Sequence, residues 1–346
     1  IKHVTGKFFS VIGIDVSIND EYLKRWSQPI IDQSEIGILG IIAKKIDGEL
    51  YFLMQAKIEP GNINYTQLSP TLQATKSNYT KVHKGKKPPY VEQFEDSKNT
   101  VLIDQLQSEQ GSMFLSKRNR NIIIMVDDEI PVYENYKWLK LEEIVAMLSI
   151  PNTVNMDTRS VISGMLLWDF EVQEQDQYTL HSLREIIKWL TKLKSDYLLE
   201  VKKRPLKSLP NWIITNDSIH HDEQKFFEII PVKVSIEGRE VKNWTQPMIK
   251  AKHEGIYAFI IKRINGVSHI LVQAKVECGN FDIVEMAPTV QCLLENYKEA
   301  DLQEYPYLDY VLNAREDEII FDVLQSEEGG RFYHVQNRNM IVEVDE

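Results

Sequence analysis

The sequence predicts an α+β fold: two mixed-sheet domains produced by tandem duplication and joined by a helical insert. Three observations predict it. Residues 9–128 align with 227–346 at a constant offset of 218 without a gap, and about 42 of roughly 120 positions are identical, far beyond chance. Each copy holds two β-rich runs around a turn dipeptide, Asp47-Gly48 in the first and Asn265-Gly266 in the second. The intervening residues have no counterpart and carry apolar side chains at helical spacing. A chain of 346 residues suits two or three domains. The repeat divides it into 1–128, 129–226 and 227–346.

In the first copy the runs 36–46 and 50–58 flank Asp-Gly; in the second, 255–264 and 267–276 flank Asn-Gly. Both dipeptides favour the type I′ turn of a two-residue hairpin. Ser69 then reads as an N-cap with Pro70 at the first position of a helix over 70–80. In copy two Pro288 is followed by Val290, Leu293, Leu294 and Tyr297 at helical spacing. Each copy closes on a strand, 122–126 and 340–344, giving a mixed sheet with helices packed on it. Within the insert, 139–148 reads as a short amphipathic helix. Ser182 and Glu185 form a capping box ahead of Ile186, Ile187, Leu190, Leu193 and Leu198, a run that Pro205 ends. The charges from Lys202 to Lys207 fit a solvated helix end. Gly48, Gly61 and Gly111 are expected in turns.

Composition limits the function. Hydrophobic residues make up 43% and charged residues 26%, an ordinary globular balance. The net charge of −11 disfavours nucleic acid as a partner, although a local basic pocket for a phosphorylated small molecule remains compatible with it. No apolar run approaches the ~18 residues of a membrane span. The start, IKHVTGKFFS, lacks a basic region followed by an apolar stretch, so no secretory leader is expected. Because the first residue is not Met, native residues are expected before it. Cys278 and Cys292, with no CxxC, make neither a disulfide framework nor a zinc site and suit reduced thiols in the cytoplasm.

One polar set is identical in both copies: Gln55, Lys57, Glu59, Asn62, Gln73, Gln107, Glu109 and Arg120. Gln55, Lys57 and Glu59 alternate along a strand and point to one face, either an open solvent face or a wet pocket. The same alternation at Gln107 and Glu109 favours the pocket. Trp26 and Trp244 fit a core position or a stacking platform. The copies differ after Pro70. Copy one offers Ser77, Asn78, Thr80, His83 and Lys84, with Lys81, Lys86 and Lys87 nearby; copy two has Leu293, Leu294, Glu295, Glu299 and Asp301. Hydroxyls, amides and cations at a helix start suit an anionic ligand, so the working pocket is expected in copy one.

The stretch GNINYTQLSPTLQATKSNYTKVHKGKKPPYVEQF resembles the signature of the NDP-hexose 2,3-dehydratases. VNMDTRSVIS, QSEQGSMF and, in copy two, WTQPMI and GIYAFIIKRINGVSHILVQAKVECGN are similar to further motifs of that family. The resemblance covers essentially the whole chain. Two positions depart from the pattern, Leu72 for Val and Thr158 for Ala, and neither carries chemistry. The resemblance implies two Nudix-like domains, a homodimer, and action on dTDP-4-keto-6-deoxy-D-glucose in deoxysugar biosynthesis, with one nucleotide-sugar pocket catalytic and the other a relic. It implies no cofactor and no metal, because the C4 ketone is the electron sink. A downstream 3-ketoreductase is expected to take the unstable product. The reaction needs a base near C3, an acid near O2 and donors to the C4 enolate. Lys57, Glu59, Tyr79, His83 and Glu109 are the catalytic candidates. Trp26, Gln55, Asn62, Gln73, Ser77, Asn78, Thr80, Lys84, Gln107, Arg120 and Arg159 are the binding candidates. Two rival readings are a Nudix-type nucleotide-sugar diphosphate hydrolase and a non-catalytic nucleotide-sugar binding protein. The hydrolase needs a glutamate-rich helix that binds Mg²⁺, and 70–80 contains no acidic residue.

Overall fold

The computed structural model describes residues 1–3, 8–19, 23–75, 87–167, 178–237, 242–294 and 305–344. The chain is mixed α+β, dominated by sheets. In repeat one the main sheet runs in the order Thr66–Ser69, Glu49–Ile58, Gly37–Ile46, Arg118–Met125, Thr100–Ser108. Repeat two has the same order: Glu285–Pro288, Val267–Lys275, Gly255–Ile264, Gln336–Val344, Ile319–Ser326. In each, one parallel pair, Gly37–Ile46 with Arg118–Met125 and Gly255–Ile264 with Gln336–Val344, makes the sheet mixed. The hairpin turns are as expected: Asp47 and Gly48 both have positive φ, as do Asn265 and Gly266, the requirement of a type I′ turn.

The segment after Pro70 is not a helix where it is described. Leu72–Ala74 is a strand on Gly37–Ile46, and Val290–Leu293 is its counterpart. Leu72 and Ala74 are buried while Gln73 faces the other way, so the period is two. The Pro-Thr pair wedges open the hairpin: the Thr71 hydroxyl donates to the Leu53 carbonyl and accepts from the Ile42 N–H at 2.9 Å, and Thr289 repeats this with Leu271 and Ile260. Ser69 caps nothing; its hydroxyl donates to the Gln67 carbonyl.

The insert is only partly helical. The capping box of Ser182 and Glu185 opens helix Leu183–Asp196, but Leu198 lies on strand Leu198–Arg204, which pairs with Ser10–Asn19. Leu199 and Val201 alternate inward on it and pack with Ile14, Val16 and Ile30. Lys202 and Lys203 are therefore strand residues, paired with Glu200 and Asp32. Helix Leu141–Met147 follows a strand, Tyr136–Lys140, that adds to the repeat-one sheet. Two short strands, Trp212–Ile214 and Ile219–His221, extend the sheet of Phe227–Ser235 and Asn243–Ala251.

The alignment also shifts locally. Helix Val91–Glu95 follows the left-handed Tyr90, and Leu308–Leu312 follows the left-handed Tyr307, one residue short of the 218 offset. Register is restored by Asp104 and Asp322, so repeat two carries a one-residue deletion before Tyr307 and a compensating insertion between Tyr307 and Asp322.

The two repeats share one seam. The Gly61 N–H donates to the Gly329 carbonyl at 2.8 Å, and the Gly279 N–H donates to the Gly111 carbonyl at 2.6 Å. Phe114 and Phe332 meet edge to face within a core built from both repeats. These reciprocal contacts are those of a two-fold interface inside one chain. Gly61 and Gly111 serve close approach rather than a positive-φ turn: a Cβ on Gly61 would fall 1.6 Å from the Phe332 carbonyl oxygen, and one on Gly111 would fall 2.0 Å from Asn280 Oδ1.

Candidate active site

Much of each repeat's polar set gathers beside this seam: Lys57, Glu59, Asn62, Gln73 and Glu109 in repeat one and their counterparts in repeat two. In repeat one, strand Glu49–Ile58 carries Gln55 and Lys57 on one face. Lys57 Nζ donates to Glu59 Oε1 at 2.9 Å and to Gln73 Oε1, and Gln73 Nε2 donates to the same Glu59 oxygen at 3.1 Å. Glu59 is 4% exposed, and its Oε2 is buried without a hydrogen-bond partner. Asn62, also buried, is held by the Tyr65 carbonyl and abuts Gly329 across the seam.

Glu109 lies just beyond strand Thr100–Ser108, which carries Gln107. Its Oε1 accepts from Asn119 Nδ2, and its Oε2 is buried without a partner. Burial, reinforced by the charge of Glu328, pushes the Glu109 carboxyl up to about 7. Glu328 comes from repeat two and is itself raised by burial and by Glu59, with Arg331 and Lys57 opposing. Asp157, buried at the start of helix Met156–Ser163, is raised well above the carboxylate range by burial and then by Glu328, Glu109 and Glu59. That helix packs Val161 against Leu39, Ile41 and Ile123, which anchors Asp157. The insert and repeat two thus complete repeat one's site.

Repeat two builds the equivalent site from Lys275, Glu277, Gln291 and Glu327. Here each carboxylate oxygen has a donor. Glu277 takes Lys275 Nζ at 3.4 Å on Oε1 and the Ser112 N–H at 3.2 Å on Oε2. Glu327 takes Tyr257 and Asn337 on Oε1 and Gln110 on Oε2. A cavity of about 1220 Å³ opens on this site, walled by Trp26, Arg25 and Trp212 besides Lys275 and Gln291.

Several expected residues fall elsewhere. Trp26 was expected to serve copy one's pocket but lines the cavity of repeat two, because the sheet of Ser10–Asn19 and Leu23–Asp32 reaches across the seam. By the same exchange Trp244 and Gln246 belong beside Gly330, whose carbonyl accepts from Gln246. Arg120 forms a bidentate pair with Asp104 at an exposed cross-strand position, as Arg338 does with Asp322. Arg159 donates to the Val154 and Ser326 carbonyls and to Gln325, and its charge faces Glu327. Ser77, Asn78, Tyr79, Thr80, His83 and Lys84 lie outside the described residues. Glu328 and Asp157 went unread in the sequence. For Glu328 a signal existed: it replaces Gln110 inside an otherwise identical Gln-Ser-Glu-x-Gly motif.

Buried carboxyls with an undonated oxygen, set beside a lysine, are chemically able to take up and return a proton, the equipment an acid–base enzyme uses. Among the described residues no group of His, Cys, Asp or Glu is arranged to hold a metal ion. The family model for NDP-hexose 2,3-dehydratase matches residues 1–165 and 183–346. The chain is 44% identical over 365 residues to a dTDP-4-dehydro-6-deoxy-alpha-D-glucopyranose 2,3-dehydratase of Saccharopolyspora spinosa, covering 100% of this chain and 75% of that protein. It is 42% identical over 353 residues to the protein of the same name from Streptomyces violaceoruber, covering 100% and 80%. It is 40% identical over 353 residues to that of Amycolatopsis orientalis, covering 100% and 74%. The chain belongs to the NDP-hexose 2,3-dehydratase family.

Proposed function

We propose that the chain removes water across C2 and C3 of dTDP-4-keto-6-deoxy-D-glucose, in deoxysugar biosynthesis, and that repeat one's site performs the reaction. The observation that carries this reading is the pair of buried carboxylate oxygens without donors, Glu59 Oε2 and Glu109 Oε2. A base is strongest where an oxygen carries no donor, and in repeat two each carboxylate oxygen already faces a donor or cation. Glu59 is the base we assign: Oε1 is clamped by Lys57 and Gln73, leaving Oε2 for the C3 proton, which the C4 ketone acidifies. Lys57 supplies a positive charge for the oxygen at C4 as the enolate forms. The C2–O bond then breaks, the hydroxyl departs as water after gaining a proton, and the enol product passes to its 3,4-diketo form. A reductase acting on the C3 ketone would consume it.

Repeat two's cavity, with its aromatic wall and the cations Lys24 and Arg25, suits a nucleotide diphosphate bound without turnover. Each repeat is read as a Nudix-like domain, with 1–128 and 227–346 as the duplicated units and 129–226 as the insert. The chain is read as cytoplasmic; among the described residues no helix is long and apolar enough to cross a membrane. A homodimer is supported by a bare sheet face. The insert helices cover the face of the repeat-one sheet that carries Phe52, whereas Ile270, the counterpart of Phe52, and Met286 and Ile320 on the equivalent face of repeat two are each more than half exposed.

Incubation with dTDP-4-keto-6-deoxyglucose, with and without EDTA, tests the function by mass spectrometry. Loss of water regardless of chelator is expected. Release of dTMP that EDTA abolishes would establish the hydrolase instead, and tight dTDP binding without turnover would establish a binding protein. The same assay on Lys57→Ala and Lys275→Ala tests the choice of site, with the larger loss expected for Lys57.

A further inference from the structure

Gln110 and Glu328 occupy equivalent places in the seam, and that one difference accounts for both free oxygens in repeat one. Gln110 Nε2 donates to Glu327 Oε2. The equivalent atom in repeat one, Glu109 Oε2, has no donor, and the residue that replaces Gln110, Glu328, acts on Glu109 as a nearby like charge. Equivalence of the two oxygens is fixed by the other end of each carboxylate, where Asn119 and Asn337 both donate to Oε1. The second effect concerns a backbone donor. The Ser112 N–H goes to Glu277 Oε2 at 3.2 Å. Its counterpart, the Gly330 N–H, is captured at 3.0 Å by Glu328 Oε1, and Glu59 Oε2 is left bare.

We propose that Glu109 and Glu328 act as a carboxyl–carboxylate pair holding one proton across the seam, and that this pair protonates the departing C2 hydroxyl. The inference rests on the reading that repeat one's site carries out the elimination. With a proton on Glu328 the pair reproduces the contact that Gln110 makes with Glu327, because a carboxylic acid donates where an amide donates. Two ionised carboxylates at that place would repel each other in a desolvated site. The charged groups that face the pair are Lys117 from the strand side of Glu109, Arg331 and Glu327 from repeat two's loop, Lys57 and Glu59 from the hairpin, and Asp157 from the insert helix. In the reaction the pair gives its proton to O2 as the C2–O bond breaks and water leaves. Glu59 gains the C3 proton, so the protein's proton count is unchanged and only its location moves. Return of the Glu59 proton to the pair, directly or through solvent, resets the site.

Glu328→Gln tests this, since it gives repeat one the donor pattern of repeat two. Infrared difference spectroscopy at pH 7 (unaltered protein minus variant) is expected to show one protonated-carboxyl component lost in the variant, beside the one Asp157 contributes to both; this reads the shared proton without any turnover. The variant's kcat is expected to fall by about 10²–10⁴-fold, the usual worth of a general acid, with KM within about threefold by the same reasoning. Deuterium from D₂O should still enter C3 of the substrate, because the base is intact. An unchanged infrared band, or a kcat and pH profile within about threefold of the unaltered protein, would overturn the pair. Equal loss of C3 exchange and elimination would also overturn it, by making Glu328 part of the base. If Glu328→Gln does not fold, Glu109→Gln is read in the same way, and failure of both to fold would make the pair structural. Absence of elimination in the unaltered protein, with the infrared band present, would sink the proposed reaction and leave the shared proton standing.

Discussion

The two repeats hold the same lysine, glutamates and glutamine in the same register, yet repeat two engages every oxygen of Glu277 and Glu327 and repeat one leaves Glu59 Oε2 and Glu109 Oε2 free. A donor-saturated carboxylate is a structural element, whereas a buried one with a bare oxygen is a strong, costly proton acceptor. The backbone is shared, and the divergence follows from a few side chains: Glu328 against Gln110 at the seam, and Tyr257, which donates to Glu327, against Leu39, which packs into the core. On the proposed reading, duplication lets one copy keep the structural arrangement while the other carries the reactive one.

The comparison breaks most easily at the proposed base. Glu59→Gln is expected to lower kcat by about 10³-fold or more, within the range for general-base removal, while Glu277→Gln stays within about threefold. Steady-state kinetics on both variants decides it, and similar losses would mean that the sites are not distinct in function.

Stability should be symmetric where activity is not. Gly61→Ala and Gly279→Ala each place a methyl within 2 Å of a backbone carbonyl oxygen across the seam, 1.6 Å from Phe332 and 1.8 Å from Phe114. Each should cost about 3 kcal/mol or more, at the upper end of overpacking, as measured by urea unfolding. Unequal losses would show that the seam is not two-fold.

A pH dependence sharpens the same contrast. Glu109 releases its proton near 4.5 when exposed and near about 7 in the fold. Between those values the folded chain holds more protons, so the contribution of this group, with Glu328 beside it, to stability is complete below about 4.5 and is lost as pH rises through about 7. Glu109→Gln should flatten that part of the stability–pH curve, and an unchanged slope would place the titration elsewhere.

The smallest effect belongs to the exposed cross-strand pairs. Arg120→Ala and Arg338→Ala should each cost less than about 1 kcal/mol and leave KM alike. A rise in KM for Arg120→Ala only would restore that residue to substrate binding.

Much of this was legible along the chain. The hairpins were readable because a type I′ turn needs positive φ at both central residues, which Asp47-Gly48 and Asn265-Gly266 tolerate. The polar set was readable because alternation along a strand places Gln55 and Lys57 on one face. The stretch after Pro70 misled, since a capped Ser-Pro start is a helix signal only if no neighbouring strand claims the chain. Here Gly37–Ile46 accepts Leu72–Ala74, and Thr71 fills the gap where the hairpin opens. Leu198 was misassigned for the same reason: pairing with Ser10–Asn19 outweighed the helical spacing that precedes it.

By itself the sequence determined the duplication, the hairpins, the shared set Lys57, Glu59, Gln73 and Glu109, and the family. Those are local or periodic properties, written in residues near one another or repeated along the chain. The tertiary structure decided which residues complete each site. Trp26 passes to repeat two's cavity, Glu328 comes to repeat one's carboxylates, and Asp157 arrives from the insert. The Gln110-to-Glu328 difference is visible in the sequence, but where any of these residues is delivered is not, because the contacts arise where two folded repeats pack across a seam, and the burial that raises Glu109 and Asp157 exists only once that seam has closed.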